Sequence, residues 1–144
     1  MKKILTACAL SLAAALPAAA QDDRHLVTIL TAAEPQTQLM AMVLTLNAVQ
    51  QGATAQILLC GPAGDIALQD APETATAGQP PRDASPQGLM RMMMADHDVT
   101  AEVCAIYLPG KGADASVLVD GVTPAAPDAA AQAILADNSV VMSF

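Results

Sequence analysis

HLVTILTAAEPQTQLMAMVLTLNAVQQGATAQILLCG, residues 25–61, is the stretch that decides the fold. Its first seven residues are an apolar, β-branched run without alternation, the pattern of a strand buried on both faces. Pro35 then suits the first turn of a helix, where its missing N–H costs nothing. Leu39, Met42, Val43, Leu46 and Val49 follow at helical spacing, and Gly52 stops that helix. TAQILLCG (54–61) is a second short buried strand. A strand, an amphipathic helix and a second strand of the same kind make a βαβ unit, which demands a parallel pair and a right-handed crossover.

Outward from this unit the alternation continues. Ser85-Pro86 reads as N-cap and first residue of a helix running to about Asp96. VTAEVCAI (99–106) is a third strand. A short helical segment is expected over 109–119, a helix over 128–136, and SVVMSF (139–144) closes the chain as a strand. The expectation is a single-domain, three-layer α/β fold with a mainly parallel five-stranded sheet flanked by helices. Residues 62–84 are rich in Pro, Gly, Asp and Ala without periodicity, and 66–84 is expected to be a flexible loop.

Upstream, Lys2 and Lys3 precede an uncharged apolar run over 4–16, and Pro17-Ala18-Ala19-Ala20 supplies small residues before Gln21. That is the pattern of a secretory signal peptide, residues 1–20, too short to span a membrane. It predicts export across the inner membrane, to the periplasm if the cell has two membranes, and no stable membrane insertion of the remainder. Processing leaves Arg24, Arg82, Arg91 and Lys111 against fourteen acids, a surface that repels phosphate backbones. Nucleic acid is therefore excluded as a partner. With Tyr107 and Phe144 as the only aromatic residues, stacking platforms for bases or sugars are excluded too.

Chemistry rests on few side chains. Cys60 and Cys104 each end a strand, and in open parallel sheets ligand sites form beyond the carboxyl ends of strands. A helix N-terminus or a nearby cation lowers a thiol's pKa and favours the reactive thiolate. Lys111 is the basic residue nearest to Cys104 in sequence and is the candidate thiolate stabiliser. Free cysteines more often serve simply as small buried hydrophobes. Two cysteines in an exported chain also invite a disulfide. Were the strands ordered 2-1-3, however, the first strand would hold the two sulfurs about 9–10 Å apart, beyond the roughly 7 Å that a disulfide allows between Cα atoms. A neighbouring placement removes that objection.

A different chemistry is offered by Met90, Met93 or Met94, and His97, which share one helical face and suit soft Cu(I). Methionines at this spacing are more commonly core residues. Zinc has no Cys-x-x-Cys or His-x-x-x-His pair to hold it. GPAG (61–64) has neither the glycines nor the lysine of a phosphate cradle. Asp65, Asp70 and Glu73 read as a solvated loop face. No cofactor is called for, and a non-catalytic oligomeric binding module is the third reading.

In order and spacing, HLVTILT, the amphipathic helix, ILLCGPAGDIAL, SPQGLMRMMM, AEVCAIYLPGKG, DGVTPAAP and SVVMSF resemble the DsrE/DsrF-like proteins over residues 26–144. The resemblance implies a compact α/β sandwich assembling as a homotrimer or hexamer. It implies a sulfur-relay role as well, with a persulfide carried on the cysteine that ends the strand before a short helix closing on a basic-Gly pair. Cys104 matches that cysteine, with Lys111-Gly112 at the basic-Gly position. Cys60 matches nothing in the pattern and stays a secondary candidate. The combined expectation is an exported carrier or redox accessory protein, rather than a turnover enzyme, whose partner is a sulfur-donor or redox protein.

Overall fold

The computed structural model describes residues 24–144, so the signal peptide expected over 1–20 lies outside the described residues. Element order is β1 (His25–Leu30), α1 (Pro35–Gln50), β2 (Thr54–Leu59), a 3-10 helix (Gly61–Ala67), α2 (Glu73–Thr76), α3 (Pro86–Asp96), β3 (Thr100–Val103), α4 (Tyr107–Lys111), a second 3-10 helix (Ala115–Val117), β4 (Thr123–Pro124), α5 (Pro127–Leu135) and β5 (Ser139–Ser143). Every strand pairing is parallel. The α/β fold with a five-stranded sheet is as expected, and the sheet is parallel throughout.

The helix starts follow their local chemistry. Glu34, ahead of Pro35, accepts hydrogen bonds from the backbone N–H groups of Gln36 and Thr37 at 3.0 and 2.7 Å. Those amides hold its carboxyl below the usual carboxylate range. Ser85 caps α3 by accepting from the Gly88 N–H at 3.1 Å, with Pro86 as the first helical residue.

Strand order is β4-β3-β2-β1-β5, which corrects the 2-1-3 order considered above. β1 is flanked by β2 and by the C-terminal strand, so β3 must join on the far side of β2. Five register pairs, from His25↔Ser139 to Ile29↔Ser143, bind β5 to β1. Beyond them the Phe144 carbonyl accepts from both the N–H and the hydroxyl of Thr31. The strand missing from the sequence reading is β4, whose two residues Thr123 and Pro124 are too short to show a period.

One sheet face carries Leu26, Leu30, Ala55, Ile57, Leu59, Ala101 and Val103 against Ala41 and Met42 of α1 and Met90 and Met93 of α3. The pairing registers put these strand residues on the same side. α1 also buries polar residues that periodicity alone would have turned outward. The Thr28 and Thr45 hydroxyls pair at 2.8 Å in the core, and the Gln38 amide donates to the Ala32 carbonyl. The β4-to-β5 connection travels from one sheet edge to the other, and right-handedness carries α5 over the opposite face. On that second face Gln56 donates a side-chain hydrogen bond to Glu102 across β2 and β3.

Between residues 66 and 84, expected to be a flexible loop, the chain forms α2 and two isolated bridges, Leu68↔Leu118 and Gln79↔Ala84. Gln87 at the start of α3 anchors the same region by donating to the carbonyls of Ile66 and Leu68, both at 2.8 Å. The helix expected over 109–119 is two pieces: α4 ends at Gly112, which takes the left-handed conformation (φ 65°), and a separate 3-10 turn follows. No helix among the described residues is long and apolar enough to cross a membrane.

Candidate functional site

The β2–β3 register determines the site. Leu59 pairs with Val103, so the next residues on each strand, Cys60 and Cys104, come level at the carboxyl ends of adjacent strands. The ladder continues through them. Cys60 donates its N–H to the Leu30 carbonyl at 2.9 Å, and Cys104 donates to the Leu59 carbonyl at 2.8 Å. Their Cα atoms lie 5.0 Å apart and the two sulfurs form a disulfide. That separation is about one inter-strand spacing and falls within the range a disulfide spans without backbone movement. Both residues are half-buried, which leaves the bond open to attack from solvent.

Beyond the cysteines each strand runs into a short helical turn, and a polar cluster ties the two turns together. Asp65, in the turn after Cys60, accepts a 2.7 Å hydrogen bond from the Tyr107 hydroxyl and a 2.7 Å ion pair from the Lys111 Nζ, both on its Oδ1. Tyr107 and Lys111 belong to α4, after Cys104. The Lys111 ammonium also lies 5.5 Å from the centre of the Tyr107 ring, within reach of its π face. Partial burial alone would raise the Asp65 pKa. The ammonium and the phenol outweigh it, and the carboxyl sits below its ordinary value. Tyr107 moves the other way: burial, then the neighbouring carboxylate, push its pKa well above the usual tyrosine value, so it remains a neutral donor. Gly64 makes the arrangement sterically feasible, since a Cβ there would collide with the Tyr107 ring.

Asp65 is therefore no solvated loop residue, and Lys111 delivers its ammonium to Asp65. The sequence offered one signal for this pair, an acid and a base each a few residues beyond a cysteine that ends a strand. A depression of about 390 Å³ opens beside Lys111, lined by Leu68, Gln69, Asp70, Ala113, Ser116 and Val117. A second groove, about 690 Å³, lies elsewhere, between α1 and residues 79–84, and no cysteine lines it.

The soft-metal candidates are placed apart by burial. Met90 is fully enclosed in the core, Met94 is half-buried and His97 is exposed at the C-terminal end of α3. Among the described residues no group of three or more His, Cys, Asp or Glu side chains could hold a metal ion.

No protein-family model matches the sequence, and neither does any curated protein sequence. Solved structures do match. The protein of unknown function MTH1491 from Methanobacterium thermoautotrophicum superposes with a TM-score of 0.66 at 11% identity, over 85% of this chain and 100% of its own. The ychN protein from E. coli gives the same TM-score at 17% identity, over 85% of this chain and 99% of its own. At such identities the likeness is one of fold, an α/β domain of the same arrangement.

Proposed function

We propose that this chain is an exported DsrE-like thiol protein in which Cys104 is the reactive group, serving a sulfur-carrying or redox-exchange role outside the cytoplasm, in the periplasm if the cell has two membranes. The observation that carries the reading is the placement of Cys60 and Cys104 side by side, half-exposed, at the carboxyl ends of adjacent strands. This is the position where open parallel sheets present ligand sites. A half-exposed disulfide there can be opened by an external dithiol through thiolate attack and a mixed disulfide. Reduction yields two thiols, and the one on Cys104 matches the sulfur-carrying position of the family that the sequence resembles.

Lys111 supports this role indirectly, by holding Asp65 and with it the turn that follows Cys60. The partner is a thiol or sulfane-sulfur donor protein, and the chain functions as a homo-oligomer of the trimer or hexamer type.

Intact mass spectrometry of the reduced Cys60→Ser variant, before and after exposure to a sulfane-sulfur donor, tests the reading. A gain of one sulfur is expected, and Cys60→Ser/Cys104→Ser should gain none. A single variant that stays at its starting mass, with its remaining thiol inert to alkylation, would make the cysteines structural.

A further inference from the structure

Building on the assignment of Cys104 as sulfur acceptor, we infer that Cys60 is its resolving thiol, so that the protein reduces sulfane sulfur to hydrosulfide instead of storing it as a stable persulfide. The geometry leaves little alternative. Any sulfur placed on Cys104 is held beside a second thiol whose Cα is 5.0 Å away.

That closeness does not depend on the S–S bond. Cys60 is held by its N–H bond to Leu30 and Cys104 by its N–H bond to Leu59, while Lys111 and Tyr107 fasten the two following turns through Asp65. When the disulfide opens, these contacts keep the two sulfurs in range. The alkyl thiolate of Cys60 and the persulfide of Cys104 then react within one chain.

The steps balance with an arenethiosulfonate as donor. The Cys104 thiolate attacks the donor's outer sulfur; a new S–S bond forms, the bond to the sulfonyl sulfur breaks, and arenesulfinate leaves with the electron pair. The Cys60 thiolate next attacks the Cys104 sulfur. The Cys60–Cys104 bond forms, the bond to the outer sulfur breaks, and that sulfur leaves as hydrosulfide after taking one proton from solvent. Attack on the outer sulfur would only shift the persulfide to Cys60, a reversible detour. Hydrosulfide is a weaker base than an alkyl thiolate and so the better leaving group. The two cysteines are oxidised by two electrons and the sulfane sulfur is reduced by two. An external dithiol, oxidised to its own disulfide, returns the pair to thiols.

The test is a single turnover. The protein is reduced, freed of reductant and mixed with the arenethiosulfonate, whose sulfinate product contributes no sulfide. The wild type is expected to release one hydrosulfide per chain and finish as the disulfide, at a rate independent of protein concentration. Intramolecular attack at a millimolar effective concentration should outpace reaction between chains at micromolar protein by on the order of 10³-fold. Cys60→Ser should hold one extra sulfur on Cys104 and release essentially no hydrosulfide over the same interval. Reduced wild type, which also lacks the disulfide, is the control for folding. If Cys60→Ser and wild type both keep the extra sulfur, or both release hydrosulfide at the same rate, the resolving role of Cys60 is wrong and the carrier role of Cys104 stands. If Cys60→Ser never gains sulfur, the carrier role fails, and the resolving role with it.

Discussion

Asp65 is the residue on which the two turns around the disulfide depend. Its carboxyl titrates below the ordinary value, so ionised Asp65 stabilises the folded chain. A depressed folded pKa means that the contribution is complete above the unfolded value of about 3.9 and is lost as pH falls through the lowered folded one. Asp65→Asn retains an acceptor for the Tyr107 hydroxyl but loses the charge facing Lys111. The Lys111 and Asp65 side chains are 42% and 35% exposed, so solvent screening limits the loss to about 0.5–1 kcal/mol at neutral pH. Thermal melts of wild type and variant should differ by a few degrees at pH 7 and converge in acid. A gap that persists unchanged below pH 3.9 would show that the charge is not what matters.

At the scale of elements, β2 and β3 are joined twice, by their ladder and by the Cys60–Cys104 bond. The disulfide closes a loop of sequence separation 44 that contains the 3-10 turn, α2 and α3. In the chain-entropy account such a loop contributes about 4 kcal/mol through the unfolded state. Urea denaturation of oxidised and reduced protein should show a lower midpoint on reduction with the same α/β circular dichroism in the native baseline. The native state survives reduction because the core under β2 and β3, including Ile57, Leu59 and Val103 at 0% exposure, does not involve the sulfurs. Equal midpoints would mean that the loop is already constrained in the unfolded chain. The methionine helix belongs to this core as well. Met90 and Met93 are enclosed by it, and Met92 and Met94 pack against it. Large apolar side chains that reach solvent are found elsewhere, on α1, at Ile106 ahead of α4, on α5 and on β5.

For the whole molecule, the exposed residues Leu135 (80%), Val140 (45%) and Val141 (43%) lie together in sequence at the end of α5 and on β5, the edge strand beside β1. An edge strand carrying exposed apolar side chains invites association. With the homo-oligomer proposed above, this edge is where contact is expected. Sedimentation of the protein without residues 1–20 should give a species larger than a monomer at micromolar concentration, and Leu135→Lys with Val141→Lys should shift it toward monomer. A stable wild-type monomer would remove the assembly.

By itself the sequence determined that strands and helices alternate and that the sheet is mainly parallel, because buried β-branched runs and an amphipathic helix announce themselves through local periodicity. Pro35, and Ser85 with Pro86, did the same for the helix starts. It also marked Cys60 and Cys104 as strand ends. Strand order escaped it, since which strand flanks β1 depends on where residues 139–143 dock, more than a hundred residues away in the chain. That one non-local choice put β5 beside β1 and β3 beside β2, brought Cys104 level with Cys60 and made the disulfide. The Asp65–Tyr107–Lys111 cluster and the space that Gly64 leaves for the Tyr107 ring are of the same kind. Each joins segments about forty residues apart, and hydrogen bonds at such separations leave no period in the sequence to read.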